Sequence, residues 1–302
     1  GKEDAMNKGT GLTKDYTFSY SNGWPDLGAT IIPNYAGGDS DKLGLYYGGI
    51  GSTSGPKYIG ATIFALMIIS LFVLVGAEKW WLVVVLLVTI VLSMGGNHFI
   101  GINEFMYNHF PLYNKFRAPS MMMVLVQISA GLLAILGIEK LLSSKEDPET
   151  LKRLKYGAAT AVGIIALLTY SGTLLNDFSS TPKYDEKTGQ MVYDSDTRYA
   201  QTIIQRQGQQ PTTSAIENIK NQLVERRIDE MKKDGNRSLF FAVAVLLALF
   251  FAYKGKLKTP YAIAIIGLLI TIDMWTVGKR YLNDKDFKKQ KVVSQPFTPY
   301  SA

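Results

Sequence analysis

The chain has 302 residues, a net charge of +7 and 47% hydrophobic residues, which by length alone would allow one large or two ordinary soluble domains. It contains no cysteine, which excludes disulfides, thiolate catalysis and cysteine-based metal sites. Long uncharged stretches assign the positive excess to a membrane protein, so nucleic-acid binding is not indicated.

The chain opens GKEDAMNKGTG, with neither an initiator Met nor a basic-apolar signal region, and ends PFTPYSA, so a fragment of a longer protein is expected. Residues 1–57 are dense in Gly, Tyr, Asn and Ser, a composition suited to irregular backbone carrying aromatic surfaces. They read either as a loop packed over a bundle or as one wall of a sugar or lipid-headgroup site, because rings, amides and hydroxyls suit polyols.

Residues 58–76, YIGATIFALMIISLFVLVG, hold no Asp, Glu, Lys or Arg. A helix of that length crosses about 30 Å of hydrocarbon. The same test selects 81–95, 119–138, 156–175, 238–253 and 260–278, which predicts an all-α, polytopic transmembrane bundle of about six spans, four within 58–175 and two within 237–278. The second and fifth are short, to be completed by tilt, by thinning or by Trp80, Trp81 and Tyr253.

Lys and Arg in short loops orient such a chain. Lys79, the group Lys140, Lys145, Lys152, Arg153 and Lys155, and the group Lys254, Lys256 and Lys258 mark the cytoplasmic side. The segments 1–57, 96–118, 176–236 and 279–302 then face the other side, where chemistry is to be sought.

The stretch EFMYNHFPLYNKFRAP (104–119) reads as a segment at the outer interface, with Pro119 opening the third span. Arg117 falls just before that helix N-terminus, and with Lys115 it could hold an anion, phosphate being the natural guest. The alternative is that both cations reach lipid phosphates or pair with Glu104.

Within 176–236, DFSSTPKYDEKTGQMVYDSD reads as an exposed polar loop. Ser214 to Glu217 form a capping box, Ile216, Ile219, Leu223, Val224, Ile228 and Met231 recur at helical spacing, and Gly235 is expected to end the amphipathic helix. Its apolar face packs on the membrane domain or lies in the interface.

Asp273 is the one charge inside the six spans, at a cost of about 2.5 to 3.5 kcal/mol at a span centre. It reads either as the partner of an Arg or Lys at the outer rim or as a proton-accepting or metal-binding group. His98 and His109 make no metal motif, and no Walker loop, nucleophile elbow or dinucleotide fingerprint is present.

IIPNYAGG (31–38), YYGG followed by GPKYIG (46–60), FPLYNKFRAPSM (110–121), RRIDEMKKDGNRSL (226–239) and IDMWTVGKRYLND (272–284) resemble, in this order, segments of YfhO-family membrane proteins, especially their Bacteroidetes-like members. The resemblance implies a relative of the C-type glycosyltransferases, which take a polyprenyl-phosphate-linked sugar on the outer face of the membrane, here a bacterial inner membrane. It places the catalytic carboxylate in a first outer loop ahead of this chain and a soluble domain beyond Ala302, so no catalytic residue is assigned. Arg117 matches the family-like FR-P motif, with Lys115 beside it on the lipid phosphate. Asp273 and Arg280 match the D-to-RY segment and, with Tyr113 and Asn114, make a candidate sugar-facing or structural polar site. Membrane lipids, a polyprenyl-phosphate-linked sugar and an extracytoplasmic protein partner are the expected contacts, and no cofactor is implied. The competing reading is a non-catalytic scaffold or assembly subunit that binds a partner through its outer loops.

Overall fold

A computed structural model of the chain describes residues 6–7, 11–40, 44–50, 53–144, 147–180, 183–185, 190–192, 194–283 and 287. The elements begin with the antiparallel pair β1 (Met6–Asn7) and β2 (Gly11–Leu12), then α1 (Lys14–Thr17) and α2 (Trp24–Gly28). They continue with α3 (Ala61–Val73), α4 (Ala77–Ser93), α5 (Ile100–His109), α6 (Met123–Ser143), α7 (Pro148–Tyr170) and α8 (Gly172–Leu175). A second antiparallel pair, β3 (Lys183–Asp185) and β4 (Gln190–Val192), precedes α9 (Ser195–Arg206), α10 (Thr213–Tyr253) and α11 (Thr259–Tyr281). Short 3-10 turns cover Pro33–Ala36, Tyr113–Lys115 and Pro119–Met122.

The centre of the bundle is α3, an apolar helix with buried residues all round. It starts after Gly60, whose φ of 103° is not helical, and stops where Leu74 turns extended. At 13 residues it is about 20 Å long at 1.5 Å per residue. That is less than the expected first span required, and burial by α6, α7 and α10 takes the place of lipid around it. The neighbours approach through small residues: a Cβ on Gly137 of α6 would lie 1.9 Å from Ser70 Oγ, and one on Gly157 of α7 would lie 2.8 Å from Ile69 Cα.

Three helical segments among the described residues are long and apolar enough to cross a membrane: Pro119–Ser143, Thr213–Tyr253 and Thr259–Tyr281. The chain is thus mostly helical with three candidate spans, and the count of six is not reached by length and composition. Of the others, α4 has 17 residues, and α7 opens with the charged turn PETLKRLK. The spanning helices present apolar side chains outward, among them Leu125, Ile128, Leu132 and Ile135 of α6 and Ile263, Leu268 and Trp275 of α11. A continuous surface of this kind does not suit water.

Two boundaries differ from the sequence reading. The amphipathic helix does not end at Gly235: α10 runs unbroken for 41 residues, about 60 Å, and carries the fifth apolar stretch in its second half. Gly235 is buried against α7, where an added Cβ would stand 2.3 Å from Thr169 Oγ1, so its missing side chain permits a close crossing. The N-cap of α10 is Thr212, accepting from Ala215 N, rather than a box at Ser214. The segment taken as loop also folds: Lys183 pairs with Val192 and Asp185 with Gln190 across the hairpin. Beyond it α9 starts at an N-cap formed by Asp194, which accepts from Thr197 N at 2.6 Å.

Gly235→Val is expected to cost about 1–3 kcal/mol by overpacking, read as a lower Tm in detergent micelles. Gly163→Ala in α7, where nothing lies within 4 Å of the new methyl group, is expected to leave Tm unchanged or raise it slightly.

Candidate functional site

The loops at one end of the bundle are held by a buried cation on α10. Arg227 and Asp196 are both 1% exposed. The guanidinium meets Asp196 with two bonds, Nη1 to Oδ2 at 2.8 Å and Nη2 to Oδ1 at 2.6 Å. Its remaining donors go to the carbonyls of Leu45 at 2.8 Å, Phe178 at 2.8 Å and Gly44 at 2.5 Å. All five donors of the fork are thereby used. Tyr47 stacks on the guanidinium with its ring centroid 4.9 Å away. One side chain thus fastens α10, α9, the 176–180 loop and the Gly/Tyr-rich N-terminal segment together.

A carboxylate does the same within the N-terminal segment. Asp26 of α2 accepts from Gly23 N at 2.7 Å, Gly49 N at 2.8 Å and the Tyr46 hydroxyl at 2.8 Å. The Tyr46 oxygen in turn accepts from Ile50 N at 2.9 Å. Burial, reinforced by Asp26, pushes the Tyr46 phenol up, and burial does the same to Tyr47, so both stay neutral donors. Gly37, at φ 87°, lets the chain reverse where any Cβ would overlap the Leu45 carbonyl.

These two clamps frame an open cavity of about 1470 Å³. One helical face of α9 forms a wall, with Ser195, Arg198, Tyr199, Thr202, Ile203 and Arg206 in phase along it. The rest of the lining includes Trp24, Gly48, Gly49, Asn97 and His98, together with Tyr35, Leu168, Leu175 and Asn176. Trp24 is 56% exposed although aromatic, held by His98 at 5.2 Å and edge-on to Phe99 at 6.2 Å. Partial burial lowers the His98 pKa from its ordinary value, which keeps the imidazole neutral at pH 7. Of the lining carboxylates, Asp194 is committed to its N-cap and to Lys220 at 3.1 Å, whereas the Asp177 bond to Ser179 N lies within its own turn.

The candidate site residues Arg117, Lys115, Tyr113, Asn114, Asp273 and Arg280 lie away from this lining. Arg117 is exposed, donates to the Tyr16 hydroxyl at 2.6 Å and sits over the rings of Tyr16 and Tyr20 at 5.3 and 5.4 Å. Glu104 pairs with Lys14 at 3.1 Å. The backbone donors at the start of Pro119–Ser143 are already used: Ser120 N bonds to Tyr20 O and Met121 N to Ala118 O, while Pro119 has none. Lys115 is exposed in the adjoining turn. Tyr113 donates to the buried Asn103 at 2.9 Å, and Asn114 closes on Gly11.

Asp273 is fully buried between helices. It meets Arg237 at 2.9 Å and accepts from the Tyr58 hydroxyl at 2.8 Å, from Thr62 N at 3.1 Å and from Thr62 Oγ1 at 3.0 Å. Arg280 binds Asp234 of α10 at 2.7 Å, and Asp234 also accepts from Asn34 N at 3.1 Å. Asp234 ties α10 and α11 to the N-terminal segment, and Asp273 ties α11 to α10 and to the start of α3. Neither lines the cavity. Among the described residues, no group of three His, Asp or Glu gathers to hold a metal ion.

Fold and site together define a mostly helical protein with, among the described residues, three helices long and apolar enough to span a membrane and a large open cavity lined by α9, the N-terminal segment and the loop after α8. No family model, curated protein or solved structure matches the chain. These comparisons therefore lend no support to the resemblance to the YfhO family.

Arg227→Ala leaves the Asp196 carboxylate buried without its cation and is expected to cost about 3–5 kcal/mol. Thermal melts and faster proteolysis between residues 176 and 212 would report it, and Arg227→Lys should not restore stability because an ammonium cannot copy the fork. For Asp194, burial opposes ionisation, but the bonds from Thr197 and Lys220 outweigh it and lower its pKa. Its contribution is therefore fully present above the unfolded value of roughly 3.9 and is lost as pH falls through the lower folded value. The protection factor of the Thr197 amide, which removes the intrinsic pH dependence of exchange, should fall in that acid range and stay flat from pH 5 to 8.

Proposed function

We propose that the chain is the membrane part of a glycosyltransferase-like protein, and that its cavity takes the sugar end of a polyprenyl-phosphate-linked donor. The observation that carries this reading is the cavity itself. Its lining combines the exposed indole of Trp24, packed on His98, with hydroxyl and guanidinium groups of α9 and with Asn97 and Asn176. A ring face combined with amides and hydroxyls suits a pyranose, whose axial hydrogens stack while its hydroxyls bond. Leu168, Leu175 and Ile31 add apolar groups to the lining.

In this reading the anomeric carbon loses its bond to the carrier's phosphate oxygen and gains one to an acceptor hydroxyl, whose proton passes to a carboxylate. No carboxylate of this chain is assigned that role. The bundle has six membrane-embedded segments, with lysine-bearing turns in the cytoplasm and the cavity on the outer face of a bacterial inner membrane. The short α3 is then an embedded helix shielded by its neighbours rather than a lipid-facing span.

Mass spectrometry of copurifying lipids tests the proposal, with wild type beside Trp24→Ala and Arg117→Ala. A polyprenyl-phosphate-linked saccharide is expected with wild type and with Arg117→Ala, and at least ten-fold less with Trp24→Ala. Ordinary phospholipids alone, equal in all three, would reject the transferase reading in favour of a scaffold.

A further inference from the structure

The segment between α4 and α6 presents an unusual surface. Ile100, Ile102 and Phe105 point outward from α5, and Phe110, Leu112 and Phe116 follow on the turns after it. Phe105 is 60% exposed, Leu112 66% and Phe116 70%. His109 stacks on Phe105 with ring centroids 4.6 Å apart, extending the same face. Large apolar side chains gathered in this way are costly in water.

The inner side of the segment is fastened, which keeps the apolar groups from folding inward. Asn103 is buried and donates to the Val91 and Phe99 carbonyls while accepting from Tyr113. Tyr107 bonds to the Leu12 carbonyl at 2.5 Å. The corners at Phe99, Leu112 and Ala118 have φ of 54°, 66° and 67°, so the backbone is turned sharply to present this face.

The exposed row does not stop at the segment's end. Met121 leads into Val124, Leu125 and Ile128, the outward face of the candidate span Pro119–Ser143. Surface that must face lipid along α6 is therefore continuous with the aromatic surface before it. Where the two meet stand Lys115 and Arg117, the latter held outward by the rings of Tyr16 and Tyr20. The nearby Lys14 and Glu104 cancel as a pair.

We infer that residues 99–121 form an interfacial foot that lies in the headgroup layer of the bilayer, with Lys115 and Arg117 binding the phosphates of anionic phospholipids. Aromatic and aliphatic groups enter the acyl boundary, and the cations stay at phosphate depth. The guanidinium reaches the phosphate already oriented, so little rotational freedom is lost on binding. The foot sets the height of the cavity above the lipid and does not itself take the substrate, so it stands independently of the sugar proposal.

The absence of cysteine makes site labelling direct. Phe105→Cys, Phe116→Cys and the cavity-wall control Thr202→Cys would be labelled with a fluorophore in the full chain, reconstituted in nanodiscs of equal phosphatidylcholine and phosphatidylglycerol. Lipid-attached quenchers are expected to quench the labels at 105 and 116, and iodide the label at 202. Iodide quenching of all three alike would overturn the foot. Native mass spectrometry of the same particles is expected to show phosphatidylglycerol retained at least three-fold over phosphatidylcholine, and no such preference in Lys115→Ala/Arg117→Ala. A preference unchanged in that double variant would overturn the phosphate-binding role of the two cations.

Discussion

A guanidinium taken out of water needs an acceptor for each of its donors, and Arg227 finds them on three separate stretches of chain. The requirement works in both directions. The loops carrying Gly44, Leu45 and Phe178 have no sheet in which to pair these carbonyls, and Arg227 supplies what the backbone lacks. Without it, a carboxylate and three carbonyls would be stranded beneath Tyr47 and Phe178. The cavity wall formed by α9 is therefore placed by an electrostatic constraint as well as by hydrophobic packing. Its buried face contributes only Asp196, Ala200 and Ile204.

The same helix that carries Arg227 crosses from that polar environment into an apolar one. Along one face of α10 the buried residues run Arg227, Met231, Asp234, Gly235 and Ser238, then Phe241, Ala242, Val245 and Leu249. The first group grips loops through Asp196, Asn34 and the Ile31 carbonyl. Of the second, Ala242, Val245 and Leu249 pack in the main core with α3. An unbroken helix couples the two, and Gly235 at the change of character lets α7 approach where polar and apolar faces meet. The cavity thus stands at a fixed position relative to the bundle, which a flexible linker at Gly235 would not have ensured.

The sequence makes the membrane character and the helical class legible because absence of charge over a long stretch is a one-dimensional property. Span number is less legible, since α3 ends where Gly60 and Leu74 leave helical geometry, and hydropathy carries no trace of either turn. Arg227 is passed over by a stripe defined by apolar residues alone. It lies four residues after Leu223 and four before Met231, in phase with both, and Asp196 lies four before Ala200. A charge in phase with a buried stripe was the available signal on each helix. The Gly/Tyr-rich stretch reads either as a packed loop or as a site wall, and Tyr35, Tyr46, Tyr47, Gly48 and Gly49 from it line the cavity. The position of Arg117, by contrast, depends on how Tyr16 and Tyr20 fold back over roughly a hundred residues, which no local pattern records.

The cations of this end of the molecule fall into three settings with different consequences. Arg227 is enclosed and fully partnered, so it contributes structure and offers nothing to a ligand. Arg237 reaches Asp273 along with the Asp273 and Thr276 hydrogen-bond acceptors, and Tyr58 and Thr62 satisfy the rest of that carboxylate. A buried acid so surrounded is a fastening between helices, because a proton or ion entering there would have to displace bonds already made. Arg117 is stacked but open to the outside, and only in such a setting can a guanidinium exchange water for a phosphate without first breaking the fold. Burial therefore separates the residues that hold the molecule together from those that can meet a ligand, although all three are the same kind of side chain.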